Sequence, residues 1–246
     1  MTKAALVIAV DDTDNAEEGG TGSVARTIAG RLSARFPVWG VTRHQFIVLP
    51  EIPYTKKNSG NVVHLLEAPP DVAALAEEVA EWVRELVWPG SDPGLCVARP
   101  EALRGIELGR EAQRRFVAKE EVRAAAREAG VLLTHPCATD EGIVGAFAGA
   151  CLAAGGDDGR FVQVGRVREL TGKVTVEDFL AAGGDEVRSV EGGPLTQGLL
   201  EAERLRPALR GGRCVLYCAP AAEGLWLPLR GAPGDETEEE TGRADE

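Results

Sequence analysis

The sequence predicts an α/β fold with α+β elements, on three observations. Ala4–Val10 is an unbroken apolar run ended by Asp11. Short apolar segments then alternate with longer ones of helical spacing, separated by glycine- and proline-bearing breaks. Aromatic residues are scarce, at 5%, while Ala, Val, Leu and Gly are plentiful, which suits helices packed on a sheet.

Taken in order, residues 4–10 read as a buried strand. A polar loop to Gly22 leads into a helix from Ser23 to Arg35, spaced through Val24, Ile28 and Leu32. Residues 37–49 and 61–66 read as strands, and Pro50 and Pro53 stiffen the connection between them into a positioned loop. Residues 71–87 form an amphipathic helix through Val72, Leu75, Val79, Val83 and Leu86. The run from Trp88 to Gly94 is a clear break. A strand at 95–98 and helical stretches at 101–117 and 119–129 follow, the second stopped by Gly130. Next come a strand at 131–134, a small-residue helix at 141–154, a strand at 161–168, helices at 176–182 and 197–209, and strands at 213–218 and 225–229. Residues 1–229 are thus one folded region, or two intertwined subdomains with a break near 88–94. The tail, 230–246, has almost no apolar residues and is expected to be disordered.

The formal charge is −12, and residues 230–246 alone carry seven acids against Arg230 and Arg243. An acidic body disfavours capture of DNA or RNA by general electrostatics, which leaves room only for a local basic pocket. The five cysteines are odd in number and the chain is too large for a disulfide scaffold, so reduced thiols are expected. Cys214 and Cys218 share one face of a strand, consistent with a buried structural role. The longest apolar stretch, Gly142–Gly156, is too short and glycine-rich to span a membrane, and no signal-like segment opens the chain. A cytoplasmic protein without membrane contact is expected.

Asp11-Asp12-Thr13-Asp14 stands at the end of the first strand. Three carboxylates within four residues repel one another, and desolvation at a strand end worsens this. A divalent cation relieves both costs, and a few hard oxygen ligands with open positions suit Mg²⁺. Asp11, Asp12 and Asp14 are the candidate metal ligands. Downstream, Gly19-Gly20-Thr21-Gly22-Ser23 opens the first helix, where amides and the helix start favour an anion. Carboxylates for a metal and amides for phosphates are the two halves of a metal–polyphosphate site. The competing reading is a solvated, Asx-capped turn with Thr21 or Ser23 as N-cap.

Other motifs fit less well. Gly20-x-Gly22-x-x-Ala25 lies ten residues beyond the strand and lacks the acid that a dinucleotide fingerprint requires. An EF-hand starting at Asp12 lacks its glycine and glutamate. There is no GxxxxGK[ST] loop. Arg43, Lys56 and Lys57 could neutralise phosphates across from the carboxylates, or lie in a solvated turn. His44, His64 and His135 share no metal spacing, so each reads as a satisfied or exposed ring. Arg166 and Arg168 alternate along the strand at 161–168, with surface placement the simpler account.

Strand-DDTD-loop-GGTGS, LPEIPYTKKNSGNVV and DEGIVGAFAG occur in the order seen in the archaeal tRNA(Ile) agmatinylcytidine synthetases, the TiaS family. The chain resembles their N-terminal part over roughly residues 1–229, thinly between 90 and 130. The resemblance implies a kinase-like ATP-binding domain with a ferredoxin-like subdomain. It also implies Mg-ATP used to activate a tRNA cytidine for displacement by agmatine. By position, Asp11, Asp12 and Asp14 would hold metal and phosphates, and Thr21 matches the threonine that receives phosphate, with Gly19, Gly20, Gly22 and Ser23 around it. Lys57, with Lys56 adjacent, stands where the family commonly has arginine. Gly60 keeps a family glycine, while Asn58 and Ser59 depart from the pattern. Gly142 and Gly145 match a glycine pair that basic residues usually precede, but here Asp140 and Glu141 replace them. The OB-fold and zinc-ribbon modules of the full-length enzymes are not present in this sequence.

Two functions remain at the sequence level. One is an ATP- and Mg²⁺-dependent transferase or ligase with Asp11, Asp12 and Thr21 as catalytic residues, acting on a small molecule or a tRNA, with or without a partner chain. The other is a non-catalytic nucleotide- or tRNA-binding module that serves as a subunit or sensor.

Overall fold

The computed structural model describes residues 2–13, 20–52 and 58–234. The first half contains β1 (Leu6–Asp11), α1 (Thr21–Ser33), β2 (Val38–Gln45), β3 (Ser59–Leu65), α2 (Val72–Leu86), β4 (Gly94–Ala98), α3 (Leu108–Glu111), α4 (Lys119–Ala129), β5 (Leu132–Thr134) and α5 (Ile143–Gly155). The second contains β6 (Arg160–Val164), β7 (Lys173–Thr175), α6 (Val176–Ala181), β8 (Glu186–Ser189), β9 (Pro194–Leu195), β10 (Leu199–Glu201), β11 (Ala208–Arg210), β12 (Arg213–Ala222) and β13 (Leu225–Pro228). The strands form a mixed sheet in the order β5-β4-β1-β3-β2-β6-β11-β12-β13-β10-β7, with β8 and β9 branching from β12.

β1 is antiparallel to both of its neighbours, β3 and β4. An antiparallel strand usually alternates, yet this one is apolar throughout because helices cover both faces. Leu6, Ile8 and Val10 pack under α1 and α2, while Val7 and Ala9 pack under α4 and α5. A third core lies beneath the second half of the sheet, around Trp39, Phe161, Phe179 and Leu216. The segment at 88–94 joins α2 to β4 within this sheet, and β6 pairs with β2, so the pairing runs unbroken from the first half into the second.

Local signals set several ends. Asp71 caps α2 by accepting from the Ala74 amide at 2.9 Å, and the Glu121 carboxylate accepts from the Ala118 amide before α4 at 2.9 Å. Gly130 ends α4 in the left-handed region at φ 63, as expected for a C-terminal glycine.

Several expectations fail, and the strand expected over 37–49 stops at Gln45. Residues 101–117 are not one helix but a 3-10 turn, Pro100–Leu103, followed by the single turn α3. Gly105 takes φ 78, which no helix continues, and a Cβ on Gly109 would meet the Ala148 carbonyl at 2.9 Å, so α3 is pressed against α5. The strand expected at 161–168 stops at Val164, because Gly165 turns the chain at φ 42; Arg166 lies in that turn and Arg168 in a 3-10 turn. Residues 197–209 are not helical but form β10, a loop and β11. Pro207 removes an amide that a helix needs, and Leu200 and Ala202 are buried in the sheet core instead. Strands β7, β8 and β9 were not anticipated. Of the tail, residues 230–234 are described, with Ala232 buried and Arg230 bridging to Arg206; residues 235–246 lie outside the described residues. No helix among the described residues is long and apolar enough to cross a membrane.

Candidate functional site

β1 delivers Asp11 to the edge of the core, level with Gly94 of β4. Asp12 follows at φ 53, a left-handed conformation that Asp and Asn tolerate better than other side chains. Thr13 is fully buried, its hydroxyl lacks a partner among the described residues, and its carbonyl accepts from the Trp88 amide at 3.4 Å.

The first turn of α5 abuts this strand end. A Cβ added to Gly145 would land on the Asp11 carboxylate, and one on Gly142 would meet the carbonyls of Asp92 and Asp11 at 2.8 and 2.9 Å. Gly94 faces Gly142 backbone to backbone with equally little room. These glycines let a helix start and two strand ends come within backbone contact. The carboxylate therefore sits where the helix leaves amides without intrahelical acceptors, an arrangement the helix dipole favours.

Around this junction opens a cavity of about 200 Å³. Asp11, Asp12, Thr21, Gly142 and Gly145 line it, together with Phe46, Asn58 and Ser59, and with Arg115, Phe116, Lys119 and Glu141. Thr21 opens α1 and is almost fully buried. Arg43 backs the wall, with its Nε donating to Ser59 Oγ at 2.8 Å.

The candidate residues read from the sequence thus separate into groups. Asp11, Asp12, Thr21, Gly142 and Gly145 come together at one cavity. Gly20 is the N-cap of α1, with open space around its Cα, and Gly22 and Ser23 lie in the first turn without lining the cavity. Gly60 also stays off the lining; a Cβ there would meet the Gly145 carbonyl at 3.1 Å, so its role is to let β3 approach α5. Asp14, Gly19, Lys56 and Lys57 lie outside the described residues. Among the described residues, no cluster of three or more His, Cys, Asp or Glu has metal-holding geometry.

Sequence reasoning missed the wall contributed by the α3–α4 connection. Lys119 Nζ donates to Asp140 at 2.9 Å and to Glu141 at 2.5 Å, and Arg123 also pairs with Asp140. Hydrogen bonds from Lys119 and Arg123 hold the Asp140 carboxyl down at about 2. The hydrogen bonds to Glu141 and Asp140 raise the Lys119 ammonium. Arg115 pairs with Glu121 at 2.7 Å and with Glu111, which raises its guanidinium further. The acids at 140–141 are therefore matched by cations from α4, and the two cations on the cavity lining, Arg115 and Lys119, stand there paired with carboxylates. The one available sequence signal was the pair of cations flanking Phe116 in RFVAK.

His44 is a satisfied ring and His135 an exposed one, but His64 departs from that expectation: it is fully buried and its Nδ1 has no partner among the described residues. Thr42 Oγ1 lies 2.8 Å from His44 Nε2 and 2.7 Å from His64 Nε2, and His44 Nδ1 lies 2.9 Å from Asp158. Burial, reinforced by His44, pushes His64 down to about 3. Burial raises the Asp158 carboxyl, but the hydrogen bonds from His44 and Gln113 and the charge of Arg110 outweigh it, so its pKa is lowered. His135 is exposed, with Nδ1 3.2 Å from the Cys137 carbonyl. Cys214 and Cys218 are fully buried, as a structural role requires.

The fold and cavity define an α/β protein whose acid-tipped first strand meets a glycine-rich helix start. Solved structures share this fold. The chain is similar to TiaS in its complex with an isoleucine tRNA and ATP, with a TM-score of 0.52 and 22% identity over 59% of this chain and 36% of that one. It is similar to TiaS with the same tRNA, AMPCPP and agmatine, at 0.51 and 20% over 59% and 35%. It is likewise similar to apo TiaS, the agmatidine synthetase for that tRNA, at 0.51 and 20% over 59% and 35%. The match thus covers about a third of those chains, and less of this chain than the 1–229 read from sequence. The likeness is one of fold, that of the TiaS N-terminal part. No protein-family model matches the chain, and no curated protein does.

Proposed function

We propose that this chain is an ATP-dependent enzyme that transfers a phosphoryl group to, or otherwise activates, an oxygen of its acceptor substrate, with Mg²⁺ as cofactor. The observation that carries this reading is the Asp11 carboxylate held against the first turn of α5, with Asp12 and Thr21 on the same cavity. The donor set fits the group: hard carboxylate oxygens for the metal, and helix-start amides and cations for the phosphates.

Asp11 and Asp12 would hold the metal, joined by Asp14 in the reading from sequence. Val144 and Gly145 line the cavity within the first turn of α5, beside the Asp11 carboxylate, where the helix start would favour a metal-bridged phosphate. Lys119 and Arg115 set positive charge against the polyphosphate, and Thr21 is the phosphate acceptor or a positioning group. Bound Mg²⁺ would neutralise charge on the phosphates as the transferring group moves. Preorganised charge of this kind supplies most of the rate in phosphoryl transfer. The TiaS structures hold an isoleucine tRNA, ATP, AMPCPP and agmatine, which supports tRNA as one acceptor class alongside a small molecule, and supports a related ATP-dependent role.

Asp12→Asn tests the reading with little disturbance, because Asn also tolerates the left-handed backbone at φ 53. ATP turnover with candidate acceptors should fall at least about 100-fold while the circular dichroism spectrum is unchanged. Turnover at the wild-type rate in Asp11→Asn and Asp12→Asn would refute it, and saturable ATP binding without product would favour the non-catalytic module.

A further inference from the structure

A second set of charges, none of it on the lining of this cavity, gathers where the two halves of the sheet meet. β2 and β6 pair with Arg43 opposite Arg160, and β6 pairs with β11 through Arg160 opposite Ala208. The Phe161 amide donates to the Pro207 carbonyl at 2.7 Å, so the segment leading into β11 runs beside β6 and carries Arg206 with it. Arg168, in the turn after β6, reaches back to donate to the Val162 carbonyl at 2.9 Å. Arg26 comes from the second turn of α1, and Arg204 from the same loop as Arg206.

Four of the five arginines gathered here, Arg26, Arg168, Arg204 and Arg206, are in no ion pair among the described residues, although Glu169 and Glu203 neighbour two of them in the chain. Arginines at 31, 35, 110, 115, 123, 188 and 213 each pair with a carboxylate. The four stand apart from these in a chain with 39 acids against 27 lysines and arginines. Burial, then repulsion from Arg168, Arg204, Arg160 and Arg26, pushes Arg206 down to about 10. Burial and Arg168 lower Arg26 in the same way. Like charges crowded and partly desolvated are held at a cost that an arriving anion removes. Guanidinium forks also match phosphate oxygens in geometry.

We propose that Arg26, Arg160, Arg168, Arg204 and Arg206 form a binding site for the phosphate group of a small phosphorylated ligand, separate from the Asp11 cavity. A polynucleotide is disfavoured, because the acidic body repels a long polyanion that one compact patch cannot neutralise. The two sites share α1, with Thr21 at the cavity and Arg26 one turn further along. The phosphate site does not depend on the cavity's using ATP.

The test is thermal unfolding of the full chain in EDTA, with inorganic pyrophosphate compared against sodium chloride at matched ionic strength. At ten times the half-saturating concentration, pyrophosphate should raise the midpoint by about 3–6 °C. Arg168→Gln with Arg204→Gln replaces two exposed side chains and should remove most of that rise, as should Arg206→Gln alone. Asp12→Asn, in the Asp11 cavity, should keep it. The inference is overturned if pyrophosphate does no more than chloride, if both arginine variants keep the rise, or if Asp12→Asn loses it. A larger rise with hexauridylate than with pyrophosphate also overturns it, since the site would then read a polynucleotide.

Discussion

Replacing Gly145 with alanine places a methyl group on the Asp11 carboxylate. The new carbon would lie 2.6 Å from Asp11 Cγ and 3.2 Å from Asp11 Cβ, against an ordinary carbon–carbon contact of about 3.5–4.0 Å. The carboxylate must therefore retreat by roughly 1 Å, or the start of α5 must lift away from β1 by as much. Overpacking of this kind costs about 1–3 kcal/mol, and alanine returns about 1 kcal/mol of helix propensity. The net loss, about 0–2 kcal/mol, lowers the unfolding midpoint by no more than about 8 °C in a chain of this size. Function should suffer far more, because a displacement of about 1 Å in a reacting constellation is worth about 100-fold in rate. Gly30→Ala is the matched control. Gly30 is a mid-helix, exposed glycine of α1 with open space around it, so alanine there should stabilise by about 0.5–1 kcal/mol and leave turnover alone. Thermal unfolding and ATP turnover on both variants decide the matter. A folded Gly145→Ala protein with wild-type turnover would show that the placement of Asp11 against α5 is not what the chemistry uses.

Lys119→Met removes a half-buried cation from the cavity wall and keeps an unbranched apolar stem in its place, so the KM for Mg-ATP should rise about tenfold with only a small change in melting temperature; an unchanged KM would dismiss Lys119 as a phosphate contact. His64, held down at about 3 against an ordinary 6.5, stays neutral in the folded chain while the unfolded chain takes up the proton first. Stability is therefore intact above about pH 6.5 and falls, by up to about 1.4 kcal/mol per pH unit, as pH drops from there towards 3. His64→Leu should flatten that acid limb by one proton in denaturant titrations from pH 3 to 7, and an identical slope would refute the account. Burial pushes the Cys151 and Cys218 thiols up to about 12 and raises Cys96 and Cys214 as well, while Cys137 is half-exposed. Native protein should thus show one fast-reacting thiol with an aromatic disulfide reagent and five after denaturation; two or more fast thiols would contradict the packing.

Much of the fold was legible locally. The apolar run of β1, the periodicity of α2 and the stop at Gly130 each follow from side chains within a few residues, and the structure keeps them. The failures fall where tertiary contact overrode periodicity. Ala202, Leu205 and Leu209 recur at i, i+3 and i+7, which suits a helix, but strand pairing on either side of Pro207 claims that segment. Gly165 and Gly105 looked unremarkable in sequence, and their positive φ angles ended a strand and broke a helix. At the cavity, Asp11, Asp12 and Thr21 were visible because crowded carboxylates and a glycine-rich helix start announce themselves over a dozen residues. Arg115, Phe116 and Lys119 were not, since nothing local ties them to a loop about 100 residues earlier.

By itself the sequence determined where strands and helices of strong pattern lie, to within a few residues, and that β1 carries carboxylates to its tip; these depend on neighbours in the chain. Only the tertiary structure decided that Gly94, Gly142 and Gly145 let α5 touch the ends of β1 and β4, that the cations meeting the cavity come from the α3–α4 connection, and that five arginines from α1, β6 and its following turn, and the loop before β11 share one patch. Each of those depends on atoms far apart in sequence and close in space, and backbone approach of that kind leaves no periodicity to read.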